Sequence, residues 1–363
     1  MIMDEKDTKK EIVLSGIRST GNLHLGNYFG ALKKFVKAQD DYDCNFFIAD
    51  LHALTTNPDP KQLHANVKSI LAEYLAAGLD PEKSTIFIQS DVPEVSEMYL
   101  LLNMHVGIGE LMRTTSFKDK ARKALGITTS ATGDDDDEAI EKEIIGASTN
   151  KRVNAGLLTY PTLMAVDILI QKANKVPVGK DQLQHLELTR RFARRFNSFY
   201  NVELFPEPTD FNFGGNPIKV PGLDGSGKMG KSEGNCIYLI DDPKVLRKKV
   251  MRAMTDEGPQ YPHSPMSQPI ENLFTLLELT SSPEVVKQFR DAYDDCSIRY
   301  GDLKKQLAED IITITTPIRE HIQDILSNED YLRKVVNQGA EKARERASKT
   351  LSEMRHIMGI RKF

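Results

Sequence analysis

Ile12-Val13-Leu14-Ser15-Gly16-Ile17 followed by Arg18-Ser19-Thr20-Gly21-Asn22-Leu23-His24-Leu25-Gly26-Asn27-Tyr28 decides the fold. The first six residues read as a buried strand. The stretch from Asn27 onward reads as a helix over 27–39, and a glycine-containing loop joins the two. Backbone N–H groups and the helix dipole point at whatever anion sits at such a junction. About two hundred residues later, Asp224-Gly225-Ser226-Gly227 leads into Lys228-Met229-Gly230-Lys231-Ser232, a loop with two ammonium groups and a hydroxyl. Each string alone has a bland reading, as an ordinary strand–helix junction or a solvated turn.

Working outward, short apolar runs alternate with amphipathic stretches. Strands are expected over 12–17, 44–50, 85–89 and 176–179, and helices over 27–39, 62–77, 95–112, 161–172 and 182–199. Strands separated by helices of this length indicate an α/β fold, a doubly wound parallel sheet of Rossmann type. Ligands then bind beyond the carboxyl ends of the strands, where the 21–27 string and Gly179-Lys180-Asp181-Gln182 both fall. The pattern breaks where Asp134-Asp135-Asp136-Asp137-Glu138 forms a block of like charge. Consecutive carboxylates suit a solvated loop better than a metal cage, and no metal site is expected. From Pro243 onward the strand signal disappears. Helices are expected over 245–254, 272–279, 284–293, 303–326 with a kink or break at Pro317, and 331–358. The last is rich in Lys and Arg, which suits either a solvated face or a phosphate-tracking surface. Two domains follow: 1–235, with a helical and acidic insertion around 95–156, and 236–363, whose last helix is a candidate to pack back on the first.

Composition narrows the class. The chain of 363 residues is 40% hydrophobic and 28% charged, the balance of a soluble globular protein with a substantial core. No apolar run is long enough for a membrane span, and residues 1–11 lack the apolar segment of a secretion signal, so a cytoplasmic location is expected. Three scattered cysteines give no zinc spacing and fit a reducing compartment. A net charge of −4 carries no global nucleic-acid signature, so RNA contacts must be local and DNA is not an expected partner.

Tyr160-Pro161-Thr162-Leu163-Met164-Ala165-Val166-Asp167-Ile168 is the most specific chemical feature between the two loops. With Pro161 in the first turn, helical spacing sets Tyr160, Met164, Asp167 and Ile168 on one face. An aspartate in an apolar stripe needs a partner. An internal ion pair or cap is one answer. A ligand donor is another: a flat apolar slot ending in a single acceptor suits an aromatic amino-acid side chain, whose indole N–H can only donate. His52 and Gln182 are further polar candidates for that slot.

These residues resemble the class I aminoacyl-tRNA synthetases, and within them the bacterial-type tryptophanyl-tRNA synthetase family. His24-Leu25-Gly26-Asn27 stands where the class carries His-x-Gly-His, and Lys228–Ser232 resembles the Lys-Met-Ser-Lys-Ser loop. Between them Ala49-Asp50-Leu51-His52, Gly156-Leu157-Leu158-Thr159-Tyr160-Pro161, Ala165-Val166-Asp167-Ile168-Leu169 and Val178-Gly179-Lys180-Asp181-Gln182 recur in the expected order. Asn27 replaces the second histidine, Gly230 the loop's middle serine, and Arg18 a common glutamine. The resemblance implies activation of L-tryptophan by ATP with Mg²⁺ and transfer to tRNA(Trp) by a homodimer with 95–117 at its interface. It assigns charge neutralisation to Lys228, Lys231 and Ser232, with Lys118 and Lys120 reaching the pyrophosphate. His24, Gly26 and Asn27 are expected under the adenosine and phosphates, and Asp181 at the ribose. Arg18, Ser19, Thr20, Gly179, Lys180, Val220, Met229 and Gly230 complete the implied nucleotide site. A tyrosyl-tRNA synthetase on the same scaffold, another adenylate-forming nucleotidyltransferase and a non-catalytic RNA-binding paralogue are the alternatives. Retention of both loop lysines argues against the last.

Overall fold

The computed structural model describes residues 10–125, 153–179, 182–213 and 218–360. Five parallel strands, β1 (Ile12–Arg18), β2 (Asp43–Ala49), β3 (Thr85–Ile88), β4 (Lys175–Val176) and β5 (Thr209–Asp210), lie in the order β3-β2-β1-β4-β5. In β1–β2 the register runs from Ile12 opposite Asp43 to Arg18 opposite Ala49. Cys44 to Ala49 are all buried, because helices cover both faces of a parallel sheet and leave its central strands no solvated side. The chain runs outward through β1, β2 and β3, then returns to the far side of β1 for β4 and β5. The crevice at the carboxyl ends of β1 and β4 is therefore the switch point where such sheets bind ligands.

Four sequence expectations need correction. The 27–39 helix begins at Leu25, and a π-helical turn, Tyr28–Leu32, precedes Lys33–Ala38. The 95–112 helix is two, Glu94–Asn103 and Ile108–Met112, broken before the extended Gly107. Expected strand 176–179 ends at Val176, since Pro177 has no N–H for a ladder and frees Val178 and Gly179 to line the crevice. The helix expected from Pro161 spans Ala155–Ile170 and starts at Asn154, whose Oδ1 accepts from Leu157 N at 2.9 Å. Pro161 thus sits inside the helix, as does Pro317 inside the unbroken Tyr300–Ser327.

One core on the first face of the sheet joins Leu23, Leu25, Phe46 and Ile70 to Leu246, Leu273, Leu307 and Ile322, so the C-terminal helices share buried surface with the sheet. On the other face Leu14, Phe47, Met98, Val166 and Phe192 pack with Ala343, Ala347 and Met354 of the closing helix Glu329–Ile357. That helix lies against β3 and is tied down by Gln171 Nε2 donating to Ala343 O (3.1 Å) and Arg346 pairing with Asp43 (2.8 Å). No helix among the described residues is long and apolar enough to cross a membrane.

Candidate active site

A cavity of about 400 Å³ opens at the switch point. Gly16 forms part of its β1 wall, where a Cβ would stand 2.3 Å from Phe47 Cζ. Helix Ala155–Ile170 contributes Tyr160, Met164, Asp167 and Ile168, the four residues its spacing sets on one face. Arg18, His52, Lys120 and Gln182 add polar groups to the lining, and Gly179 lies among them.

Asp167 is 5% exposed, and each of its oxygens lies 2.9 Å from Gln89 Nε2. Oδ2 also meets His52 Nε2 at 3.0 Å. Burial raises the Asp167 pKa, while His52 and Gln89 oppose that rise. Both readings of the aspartate therefore hold together: it has internal partners, and it lines the cavity with accepting capacity left on Oδ1. Gln89 was missed in the sequence. The signal for it was a polar residue closing an otherwise apolar strand at the ligand-binding edge.

Tyr160 Oη lies 2.5 Å from Ser116 Oγ and 2.7 Å from His185 Nε2, which fixes its ring. Lys120 Nζ sits 3.5 Å from the centre of that ring, a cation–π contact. Burial, then the charge of Arg18, lowers the Lys120 ammonium to about 8. Lys118 is half-buried on the same helix, Thr115–Leu125, and does not line the cavity.

Beside the cavity the two loops meet. Leu25 N donates to Ile237 O and Leu239 N to Leu23 O, both at 3.0 Å, so the chain leaving the second loop pairs with the first. Lys231 Nζ donates to Gly21 O at 2.6 Å across 210 residues of sequence. Gly21 takes a φ of +99°, a conformation that needs glycine. At Gly26 a Cβ would stand 2.8 Å from the His24 ring. His24 is lowered to about 4 by burial first and then by Lys231 and Lys228, so it is neutral near pH 7. Asn27 turns its Oδ1 back to accept from His24 N (3.1 Å) and thereby shapes its own loop.

The second loop has an internal frame. Buried Asn235 donates to Asp224 Oδ1 (3.0 Å) and Ser226 Oγ (2.9 Å), and accepts from Gly230 N (2.9 Å). Met229 is buried and its N donates to Val220 O at 2.8 Å, which makes both packing residues of the frame. Lys228 and Ser232 are exposed, and Ser232 Oγ reaches Glu233 Oε1 at 3.1 Å. Ser19 is buried and Thr20 exposed at the start of the first loop. Lys180, Asp181 and the acidic 134–138 block lie outside the described residues. No cluster of three or more His, Cys, Asp or Glu that could hold a metal is found among the described residues.

The profile of the family described as tRNA synthetases class I (W and Y) matches residues 6–316. A tryptophan–tRNA ligase of Porphyromonas gingivalis is 59% identical over 97% of this chain and 100% of its own length. One from Rickettsia bellii is 41% identical over 97% and 99%. Among solved structures, a tryptophanyl-tRNA synthetase from Campylobacter jejuni complexed with ADP and tryptophan aligns with a TM-score of 0.80 at 32% identity, covering 96% of this chain and 99% of that one.

Proposed function

Because the chain belongs to the class I tRNA synthetases of the tryptophan and tyrosine type, and its activity is that of a tryptophan–tRNA ligase, we propose that the cavity at the β1–β4 switch point holds the amino acid and that the paired loops hold ATP. The observation that carries this reading is Asp167, a buried acceptor at the end of an apolar wall, beside two loops that present Lys228 and Lys231. The indole N–H donates to Asp167, Met164 and Ile168 pack on the ring, and Tyr160, Gln182 and Arg18 hold the polar end. The tryptophan carboxylate attacks the α-phosphorus of ATP. One O–P bond forms, the α–β bridge breaks, and pyrophosphate leaves with the charge.

A carboxylate already carries its negative charge, so the step needs positioning and neutralisation rather than a general base. Lys228, Lys231 and Ser232 supply that neutralisation. Lys120, seated on the Tyr160 ring beside Arg18, serves the junction of amino acid and phosphate, with Lys118 a weaker candidate. Gly179, Lys180 and Asp181 are assigned to the nucleotide's ribose side. The described residues of the site offer lysines and amides, and Mg²⁺ is assigned as part of the MgATP substrate. The second step transfers the aminoacyl group to the terminal ribose of tRNA(Trp). Residues 1–235 act as the catalytic unit and 236–363 as the anticodon-binding one. A homodimer fits the exposed apolar residues Met104, Ile108 and Phe199, at 68%, 67% and 70% exposure. ATP–pyrophosphate exchange measured across the amino acids tests the assignment. Exchange with tryptophan far above tyrosine and phenylalanine is expected, and equal exchange with tyrosine would overturn it.

A further inference from the structure

Helix Pro60–Ala76 presents Asn66, Ser69 and Glu73 on one face, three and four residues apart. Each meets the Ser19–Leu23 loop. Asn66 Nδ2 donates to Ser19 O at 3.1 Å, Ser69 Oγ to Asn22 Oδ1 at 2.7 Å, and Glu73 Oε2 accepts from Leu23 N at 2.8 Å. Glu73 has no accessible surface, and its Oε1 is buried without a hydrogen-bond partner among the described residues. The cation that faces it is Lys231, whose Nζ is held two residues away from Leu23, on Gly21 O. Cys236 lies on the Lys231 side, and His24, next along the loop, is neutral above about 4.

We propose that Glu73 is a positioning residue for adenylate formation: it fixes the Ser19–Leu23 loop from beneath and, when ionised, holds Lys231 back from ATP. This rests on the reading of Lys231 as a ligand of the ATP phosphates. A buried carboxylate with an unpaired oxygen attracts the nearest ammonium strongly, because little water screens the pair. A protonated Glu73 keeps its bond to Leu23 N–H and releases that ammonium to the phosphates. Burial pushes the Glu73 carboxyl up to about 8, against the opposing pull of Leu23 N–H and Lys231, so both forms are accessible near neutrality. Polyphosphate beside the loop favours the neutral form. ATP binding then takes up a proton, and affinity falls as pH rises through the free-state value.

Calorimetric titration of the full chain with a non-hydrolysable ATP analogue, in buffers of different ionisation enthalpy, reads this directly. Wild type is expected to take up roughly 0.3–0.5 proton per site more than Glu73→Gln near pH 8, with Kd weakening about fivefold more than in that variant from about pH 7 to about pH 9. Glu73→Gln keeps the acceptor for Leu23 N–H and is expected to retain only the uptake that Lys120, lowered to about 8 beside the phosphates, contributes in both proteins. Infrared difference spectra of the wild type give the same answer without a variant, through the carbonyl stretch of a protonated carboxyl gained on binding. Uptake in Glu73→Gln equal to that of the wild type, or no carboxyl band, would overturn the inference while leaving the ATP site intact. Failure of the analogue to bind the wild type would overturn both.

Discussion

Asp167 is held in place by the protein before any ligand arrives, with Gln89 bridging both oxygens and His52 on Oδ2. Asp167→Asn therefore changes two things: one acceptor becomes a donor, and the charge-assisted pull on the ligand N–H is lost. We expect KM for tryptophan to rise about tenfold or more, and the preference over phenylalanine to shrink, in steady-state pyrophosphate exchange. Unchanged discrimination would make the residue purely structural. The lysines should behave in the opposite way. Lys228→Ala and Lys231→Ala are expected to lower kcat for exchange by about 10²-fold or more while leaving tryptophan affinity nearly untouched. The chain contains no tryptophan, so the fluorescence of the bound amino acid itself reports that affinity.

At the scale of elements, the second loop is a framed turn rather than a slack one. Gly230 has an extended backbone (φ −146°), and an added Cβ would lie 3.4 Å from Glu233 Cγ, so a serine fits with a small adjustment of that flexible side chain. Gly230→Ser is expected to shift stability by less than about 0.5 kcal/mol. Asn235→Ala removes the donor and acceptor that join Asp224, Ser226 and Gly230, and leaves Gly230 N without its partner. A loss of about 2 kcal/mol in thermal unfolding and a raised KM for ATP are expected, so the two variants separate loop frame from loop sequence. The sequence made the two loops and the Asp167 face legible because each is written in local spacing. Gln89, Asn235 and Glu73 were not legible in the same way. Their importance comes from partners dozens of residues away, or from a turn whose closure only the fold reveals. Pro161 misled for a related reason: Asn154 caps the helix about two turns earlier, and packing keeps the proline inside. β4 was legible only as the overlong expectation 176–179, and β5, two residues long, carries too little periodicity to read; of the two, β4 reaches the crevice, through Val176.

The molecule as a whole depends on how its last helix returns to the sheet. At Gly339 the backbone of helix Glu329–Ile357 comes so close to β3 that an added Cβ would stand 1.7 Å from Ile86 O. The neighbour is main chain of the edge strand, held by its pairing to β2, and cannot rotate away as a side chain would. Within a helix, glycine to alanine ordinarily stabilises by about 0.5–1 kcal/mol, so the sign of the effect is diagnostic here. Gly339→Ala is expected to destabilise by about 2–3 kcal/mol, as overpacking against a rigid neighbour does. Because Gln89 directly follows β3 and braces Asp167, displacing the helix should also reach the amino-acid cavity. The expected signature is a lower melting temperature together with a raised KM for tryptophan and a smaller change in KM for ATP, since the two loops rest on the other face of the sheet with Leu23, Met229 and Ile237. A Gly339→Ala protein as stable as the wild type would mean that the closing helix does not seat on β3 in solution.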